Sequence, residues 1–214
     1  MTTVELAAIA GKIWIGDCID FLRLLPDKSI DLVLTDPPYG IGMDGRKNIA
    51  CGRDWTGAGN WDEKRPDKIY FDEMLRVSKR QIIWGGNYYA DFLPPSSGWL
   101  VWNKGTRNFS LGDGELAWSS IDRALRIKDL SWAQALKDGK RHPTQKSAEL
   151  FKWCIELGSE EGDLVLDPFA GSGTTAQAAR QMNRRFILVE KNPIYADVCD
   201  SRVERLHHGI KDFI

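Results

Sequence analysis

Residues 36–40 read Asp-Pro-Pro-Tyr-Gly and directly follow Ile30-Asp31-Leu32-Val33-Leu34-Thr35, an apolar run with the character of a buried strand. A carboxylate, two residues without amide hydrogens and an aromatic ring thus stand at a strand's carboxyl end, where open α/β sheets bind ligands. These groups suit the alkylation of a planar amine. Such an amine is a poor nucleophile because its lone pair is delocalised into the ring. It improves when acceptors hold both of its hydrogens and localise the lone pair. Asp36 offers a side-chain acceptor, Pro37 a backbone carbonyl in a geometry that Pro37 and Pro38 make rigid, and Tyr39 a ring to stack on the substrate. A plain surface turn is the simpler reading of Asp-Pro-Pro taken alone.

A second segment changes the balance. Residues 163–175 read Asp-Leu-Val-Leu-Asp-Pro-Phe-Ala-Gly-Ser-Gly-Thr-Thr and run into a helical pattern over 173–182. Strand, glycine turn and helix in this order open a nucleotide-binding unit. Gly171 and Gly173 allow positive φ and close backbone approach, and the helix start offers free amide hydrogens. The turn lacks the lysine of a P-loop and does not fit Gly-x-Gly-x-x-Gly. Arg185 to Glu190 forms the next strand pattern and places Glu190 where a ribose-binding carboxylate belongs, about 20 residues past the turn. A solvated strand-end charge is the alternative. A nucleoside without a pyrophosphate is the better ligand class.

These segments resemble the amino-methylating DNA methyltransferases that use S-adenosylmethionine. Asp36-Pro37-Pro38-Tyr39 resembles their catalytic motif, and Asp167-Pro168-Phe169-Ala170-Gly171-Ser172-Gly173 their cofactor loop. His142-Pro143-Thr144-Gln145-Lys146 is similar to the segment that precedes that loop, near the methionine end of the cofactor, with Lys146 facing the cofactor's carboxylate. Ser147 stands where the family usually has proline. The resemblance runs from about Gly11 to Leu206, and the catalytic block precedes the cofactor block, as in the family's permuted β group.

The resemblance implies a Rossmann-like α/β fold: a mostly parallel seven-stranded sheet, helices on both faces, and circularly permuted motif order. It also implies cofactor contacts from Asp17, Cys18, Asp36, Thr144, Gln145, Lys146, Asp167, Phe169, Gly171, Ser172, Gly173, Thr174, Thr175 and Glu190. For Asp17, an N-cap of the helix at 18–25 is an equally good reading. The implied reaction is methyl transfer to the N6 amine of adenine in double-stranded DNA, with the base flipped out and no metal. An Asp at position 36 favours adenine, since the cytosine N4 enzymes more often carry Ser there. Cytosine N4 methylation, RNA methylation and a catalytically silent nucleic-acid-binding subunit are the alternatives. Glutamine-methylating enzymes usually carry Asn where Asp36 stands. The setting implied is bacterial or phage DNA methylation of the restriction-modification kind, and a homodimer is left open.

Composition fits a compact enzyme. The chain has 214 residues, 43% of them hydrophobic, enough for one domain over 1–214 with one substantial core. Cys18, Cys51, Cys154 and Cys199 lack metal or disulfide spacing and suit a reducing cytoplasm. No leader-like start or membrane-length apolar run is present. The net charge of −1 confines any DNA surface to local patches.

The pattern predicts strands near 12–16, 30–35, 80–84, 99–103, 115–120, 163–167 and 185–190. Helices are expected over 18–25, 67–78, 87–93, 146–157, 173–182 and 192–208. Residues 41–66 form a long loop after the catalytic block. Its Arg46, Lys47 and Arg53 are candidate DNA contacts, against the reading of an ordinary disordered excursion. A second basic stretch, 104–141, begins with Lys104 and Arg107 and is the candidate for a small target-recognition segment; a solvated face is the alternative. Trp84-Gly85-Gly86-Asn87-Tyr88-Tyr89 is read either as a tight turn with Asn87 as N-cap or as a wall of the base pocket.

Overall fold

The computed structural model describes residues 1–42, 61–107, 112–135 and 145–208. Eight strands form one sheet: β1 (Lys12–Ile15), β2 (Ile30–Thr35), β3 (Ser78–Trp84), β4 (Leu100–Asn103), β5 (Gly114–Ser119), β6 (Arg126–Asp129), β7 (Leu164–Asp167) and β8 (Arg185–Glu190). Their spatial order is β1-β8-β7-β2-β3-β5-β4-β6. All neighbours pair in parallel except β5, which runs against both β3 and β4. The mostly parallel sheet expected from the sequence is present, with one strand more than the seven expected. The extra strand is β6, a polar edge strand paired only with β4.

Among the described residues, seven helices flank the sheet: α1 (Thr3–Ile9), α2 (Cys18–Leu22), α3 (Lys68–Val77), α4 (Trp132–Ala135), α5 (Ala148–Gly158), α6 (Thr174–Gln181) and α7 (Pro193–His208). Alternation along the strands divides the core in two. Phe186 and Leu188 of β8 pack with Leu150, Phe151 and Ile155 of α5, Ala178 of α6 and Val203 of α7. Ile187 and Val189 face the opposite side, with Leu6 of α1, Phe21 and Leu22 of α2, and Phe71 and Met74 of α3. Both faces are therefore covered, as near-continuous apolar strands require.

From β7 the chain proceeds outward to β8, and from β2 it proceeds the other way to β3. The order reverses between β2 and β7. A crevice opens at such a reversal, beyond the strands' carboxyl ends. Asp36 follows β2 there and Asp167 ends β7, and the Thr35 hydroxyl donates to Asp167 Oδ1 at 2.7 Å across the reversal.

Two expectations fail locally. The helix anticipated over 87–93 is a single 3-10 turn, Gly86–Tyr88, capped by Gly85 in the left-handed region (φ 71°) and not by Asn87. The side chain of Tyr89 is fully buried, its hydroxyl bonded to the Pro37 and Pro38 carbonyls, which fixes it outside a regular helix. The helix from 18 is shorter than expected, ending at Leu22. By contrast, Ser147 accepts the Leu150 amide at 3.1 Å and caps α5, so serine starts the helix where the family has proline.

Candidate active site

A cleft of about 630 Å³ lies beyond the carboxyl ends of β1, β2, β7 and β8. It is lined among others by Asp17, Cys18, Asp36, Phe169, Gly171 and Glu190. A small recess of about 50 Å³ continues beneath it, lined by Gln145, Lys146, Asp167, Ser172, Thr174 and Thr175. Asp36, Phe169 and Gly171 border both. Of the described residues expected to hold a cofactor, all but Gly173 line the cleft or the recess. Thr144, and the loop cations Arg46, Lys47 and Arg53, lie outside the described residues.

The glycine turn is built as its sequence requires. Gly171 and Gly173 have φ of 52° and 76°. A Cβ on Gly173 would lie 2.8 Å from Cys199 Sγ, so close packing of α6 on α7 also demands glycine there. The Gly171 amide donates to Glu190 Oε2 at 2.7 Å, and the Asn192 amide to Oε1 at 2.8 Å. Burial raises the Glu190 carboxyl to about 7, against the pull of these amides. Asp167 sits deeper and accepts from the Thr35 and Thr175 hydroxyls and the Phe169 amide. Burial raises it to about 6. Its oxygens thus brace the turn from below. Thr174 Oγ1 accepts from Arg202, and Ser172 donates to Gln145 Oε1 at 3.0 Å.

On the β1 side, the Asp17 carboxylate accepts from the Ile19 amide, the Tyr70 hydroxyl at 3.0 Å and Lys191 Nζ at 2.8 Å. Burial opposes its ionisation, but these donors outweigh burial and hold its pKa low. It caps α2, and it also lines the cleft. Burial pushes the adjacent Cys18 thiol well up, which keeps it protonated and unreactive.

The catalytic motif carries the densest electrostatics. Asp36 Oδ1 accepts from the Tyr39 hydroxyl, and Oδ2 from Lys146 Nζ at 2.6 Å. The Lys146 ammonium also lies 2.9 Å from Glu115 Oε2, and Lys104 Nζ lies 2.8 Å from Glu115 Oε1. Two lysines and two carboxylates therefore alternate in one chain, the ammoniums buried and the carboxylates partly exposed. Burial alone would lower Lys146, but Asp36 and Glu115 overcome it and raise its pKa, keeping the ammonium charged. Burial raises Asp36, with Lys146 opposing.

This arrangement revises several expectations. Lys104 was expected at a DNA-facing surface; its side chain is only 5% exposed and committed to Glu115. Lys146, expected to face the cofactor's carboxylate, is equally buried and bound to Asp36. Tyr39 lies not as an open platform but against Tyr88, centroids 4.7 Å apart and 15° from parallel. Asn87 is exposed beside that stack. Arg107 is exposed and bonds Asn103 Oδ1 at 3.1 Å. Sequence reading missed Glu115, Tyr70 and Lys191. Only Glu115 left a trace, a lone carboxylate entering an apolar strand just after Gly112-Asp113-Gly114.

Residues 83–200, more than half of the chain, match the DNA methylase family N6_N4_Mtase. The chain belongs to this family. It is a DNA methyltransferase of the N6/N4 amino-methylating kind. The methyltransferase is 27% identical to the Type II methyltransferase M.HinfI of Haemophilus influenzae, over 92% of its own length and 69% of that protein's. Its fold is similar to that of M1.HpyAVI in complex with SAM, with a TM-score of 0.57 and 24% identity over 89% of this chain and 98% of that one. It is also similar to the PvuII DNA methyltransferase, described as cytosine-N4-specific, with a TM-score of 0.59 and 20% identity over 92% and 90% of the two chains.

The cleft fits S-adenosylmethionine on its own geometry. Its volume suits a ligand of that size. The Glu190 carboxylate can receive ribose hydroxyls, and Gly171 brings backbone within reach. Tyr70 and Phe169, with centroids 6.2 Å apart, offer aromatic surface to a purine. Among the described residues there is no cluster suited to a metal ion and no helix long and apolar enough to cross a membrane.

Proposed function

We propose that this methyltransferase modifies the N6 amine of adenine in double-stranded DNA. The observation that carries the reading is the position of Asp36, the one carboxylate of the catalytic motif, bordering both the cleft and the recess under the glycine turn. S-adenosylmethionine, when bound, supplies a methyl group on a sulfonium that is already cationic and needs no further activation.

The protein's residues do the rest by position. The target amine is paired within the duplex, so the base must leave the stack to reach Asp36. Asp36 then accepts one amine hydrogen and the Pro37 carbonyl the other, turning the lone pair towards the cleft. The Tyr39 hydroxyl now on Asp36 yields its place to the amine, and the ring is free to stack on the base, worth roughly 1–3 kcal/mol. Fixing both partners in line converts a bimolecular encounter into an oriented one, which accounts for much of the rate.

One feature supports adenine, the aspartate at the first position of Asp36-Pro37-Pro38-Tyr39; the intact motif argues against a catalytically silent subunit. Cytosine N4 is the second reading, favoured by the likeness to a fold described as cytosine-N4-specific. Digesting methylated DNA to nucleosides and identifying the product by mass spectrometry tests both. N6-methyladenine is expected; N4-methylcytosine as sole product overturns the assignment.

A further inference from the structure

The Lys146 ammonium has three N–H donors. Three acceptors surround it: Asp36 Oδ2 at 2.6 Å, Glu115 Oε2 at 2.9 Å and the Tyr39 oxygen at 3.2 Å. Asp36 Oδ2 and the Tyr39 oxygen take hydrogen bonds from it, and Glu115 holds it as an ion pair. Among the described residues, Asp36 Oδ1 accepts from the Tyr39 hydroxyl alone, a neutral donor that an amine hydrogen can replace. The far side of Glu115 is neutralised by Lys104 at 2.8 Å. The antiparallel turn of the sheet makes this geometry. Because β5 runs against β4, its first residues lie opposite the last of β4, with Trp102 paired to Glu115. A strand beginning therefore places a carboxylate among strand ends.

We propose that Glu115 is a positioning residue for Asp36, acting through Lys146: its charge shares the ammonium with Asp36, so that Lys146 grips a single oxygen of Asp36 and leaves the other to the substrate amine. The inference rests on the reading of Asp36 as the amine acceptor. Without the Glu115 charge, Lys146 turns wholly to Asp36 and draws on both of its oxygens. The carboxylate becomes less basic and a poorer acceptor. Without the Lys104 charge the reverse holds, since Glu115 pulls harder on Lys146 and repels Asp36. An ion chain with buried ammoniums that served stability alone would gain little over apolar packing of the same volume.

The charged and titratable groups facing Asp36 are Lys146 before α5, Glu115 on β5, Tyr39 on its own segment, Tyr89 after β3 and Asp167 at the end of β7. Two variants act on this set from opposite sides. The measurement is the single-turnover rate of methyl transfer against pH, with cofactor and DNA saturating so that the titration of Glu190 is removed. Glu115→Gln is expected to move the acid limb down by about one pH unit, the lower end of what a neighbouring charge produces, and to lower the plateau roughly tenfold. Lys104→Met is expected to move the limb up. Thermal melts establish that each variant is folded, and if Glu115→Gln is not, the direction of the Lys104→Met shift decides alone. Limbs that stay in place, or that move together, overturn the proposal. Asp36→Asn separates this failure from a failure of the underlying reading. If that variant methylates at the wild-type rate, Asp36 is not the acceptor; if it is inactive while the limbs stay fixed, only the role of Glu115 falls.

Discussion

The Glu190 carboxylate accepts the Gly171 amide at 2.7 Å, so the residue expected to hold the cofactor's ribose also closes the glycine turn onto the end of β8. The two roles share one titration. Burial raises the Glu190 carboxyl to about 7, above its ordinary value of 4.5. Ribose hydroxyls donate best to the ionised form, so binding expels a proton. Cofactor affinity should therefore fall about tenfold per unit as pH drops below 7, levelling off above it. Calorimetry in buffers of different ionisation enthalpy should register the released proton. The effect on folding has the opposite sense. A carboxyl raised in the folded state contributes stability that is full below pH 4.5 and lost as pH rises through 7. Glu190→Ala should weaken cofactor binding, and should also lower stability by about 1–3 kcal/mol for each amide left without its acceptor.

Tyr39 couples ring and hydroxyl to different tasks. The hydroxyl donates to Asp36, while the ring rests on Tyr88. Tyr39→Phe frees Asp36 Oδ1 without disturbing the ring and should retain substantial transfer. Tyr39→Ala removes the base's platform and should weaken productive DNA binding by roughly 5- to 150-fold, the equivalent of about 1–3 kcal/mol. Single-turnover rates at limiting DNA distinguish the two. Equal losses would assign the role to the hydroxyl.

Much of this was legible because it is local. The apolar runs of β7 and β8 end in a carboxylate and that of β2 is followed by one, and the positive φ of Gly171 and Gly173 follows from their place in a turn. The strand β6 was not legible, because Arg126-Ile127-Lys128-Asp129 carries charge on an exposed edge and owes its conformation to β4 alone. The helix α1 left a signal that a search for a leader passes over: Thr2 and Glu5 form a capping box. The partnership of Glu115 with Lys146 was hidden for another reason. The two are far apart in sequence, and only the antiparallel placement of β5 brings them together. The same fact removed Lys104 from the DNA-facing cations, since no local pattern tells a buried lysine from a solvated one.

That difference gives a test in salt. Each phosphate contact contributes about 0.9 to the slope of log affinity against log salt. Exposed Lys64, at the cleft, and exposed Arg107 are placed to make such contacts. Replacing either with alanine should flatten the slope by about one phosphate contact. Lys104→Met should leave the slope unchanged, since its ammonium is committed to Glu115. Fluorescence anisotropy of labelled duplexes across a salt series measures all three. A flattened slope in Lys104→Met would return that lysine to the DNA surface.

Gly85 supplies the last test, at a position where the sequence offered a tight turn or a wall of the base pocket. Its φ is 71°, and a Cβ built there would lie 2.2 Å from Tyr39 Cε1, deep inside the ring's contact distance. Glycine is thus needed for two reasons, a left-handed backbone and the seat of the catalytic tyrosine. Gly85→Ala should cost about 1–2 kcal/mol for the backbone conformation alone. It should also push the Tyr39 ring off Tyr88, breaking the hydroxyl's bond to Asp36. Transfer should then fall at least as far as in Tyr39→Ala, while cofactor affinity, set at Glu190 and Gly171 on the far side of Asp36, stays within a few-fold of wild type. The double variant Gly85→Ala with Tyr39→Ala distinguishes the causes. If the glycine acts by seating Tyr39, the second substitution adds little to the loss of rate; if the losses multiply, Gly85 serves the turn and not the tyrosine.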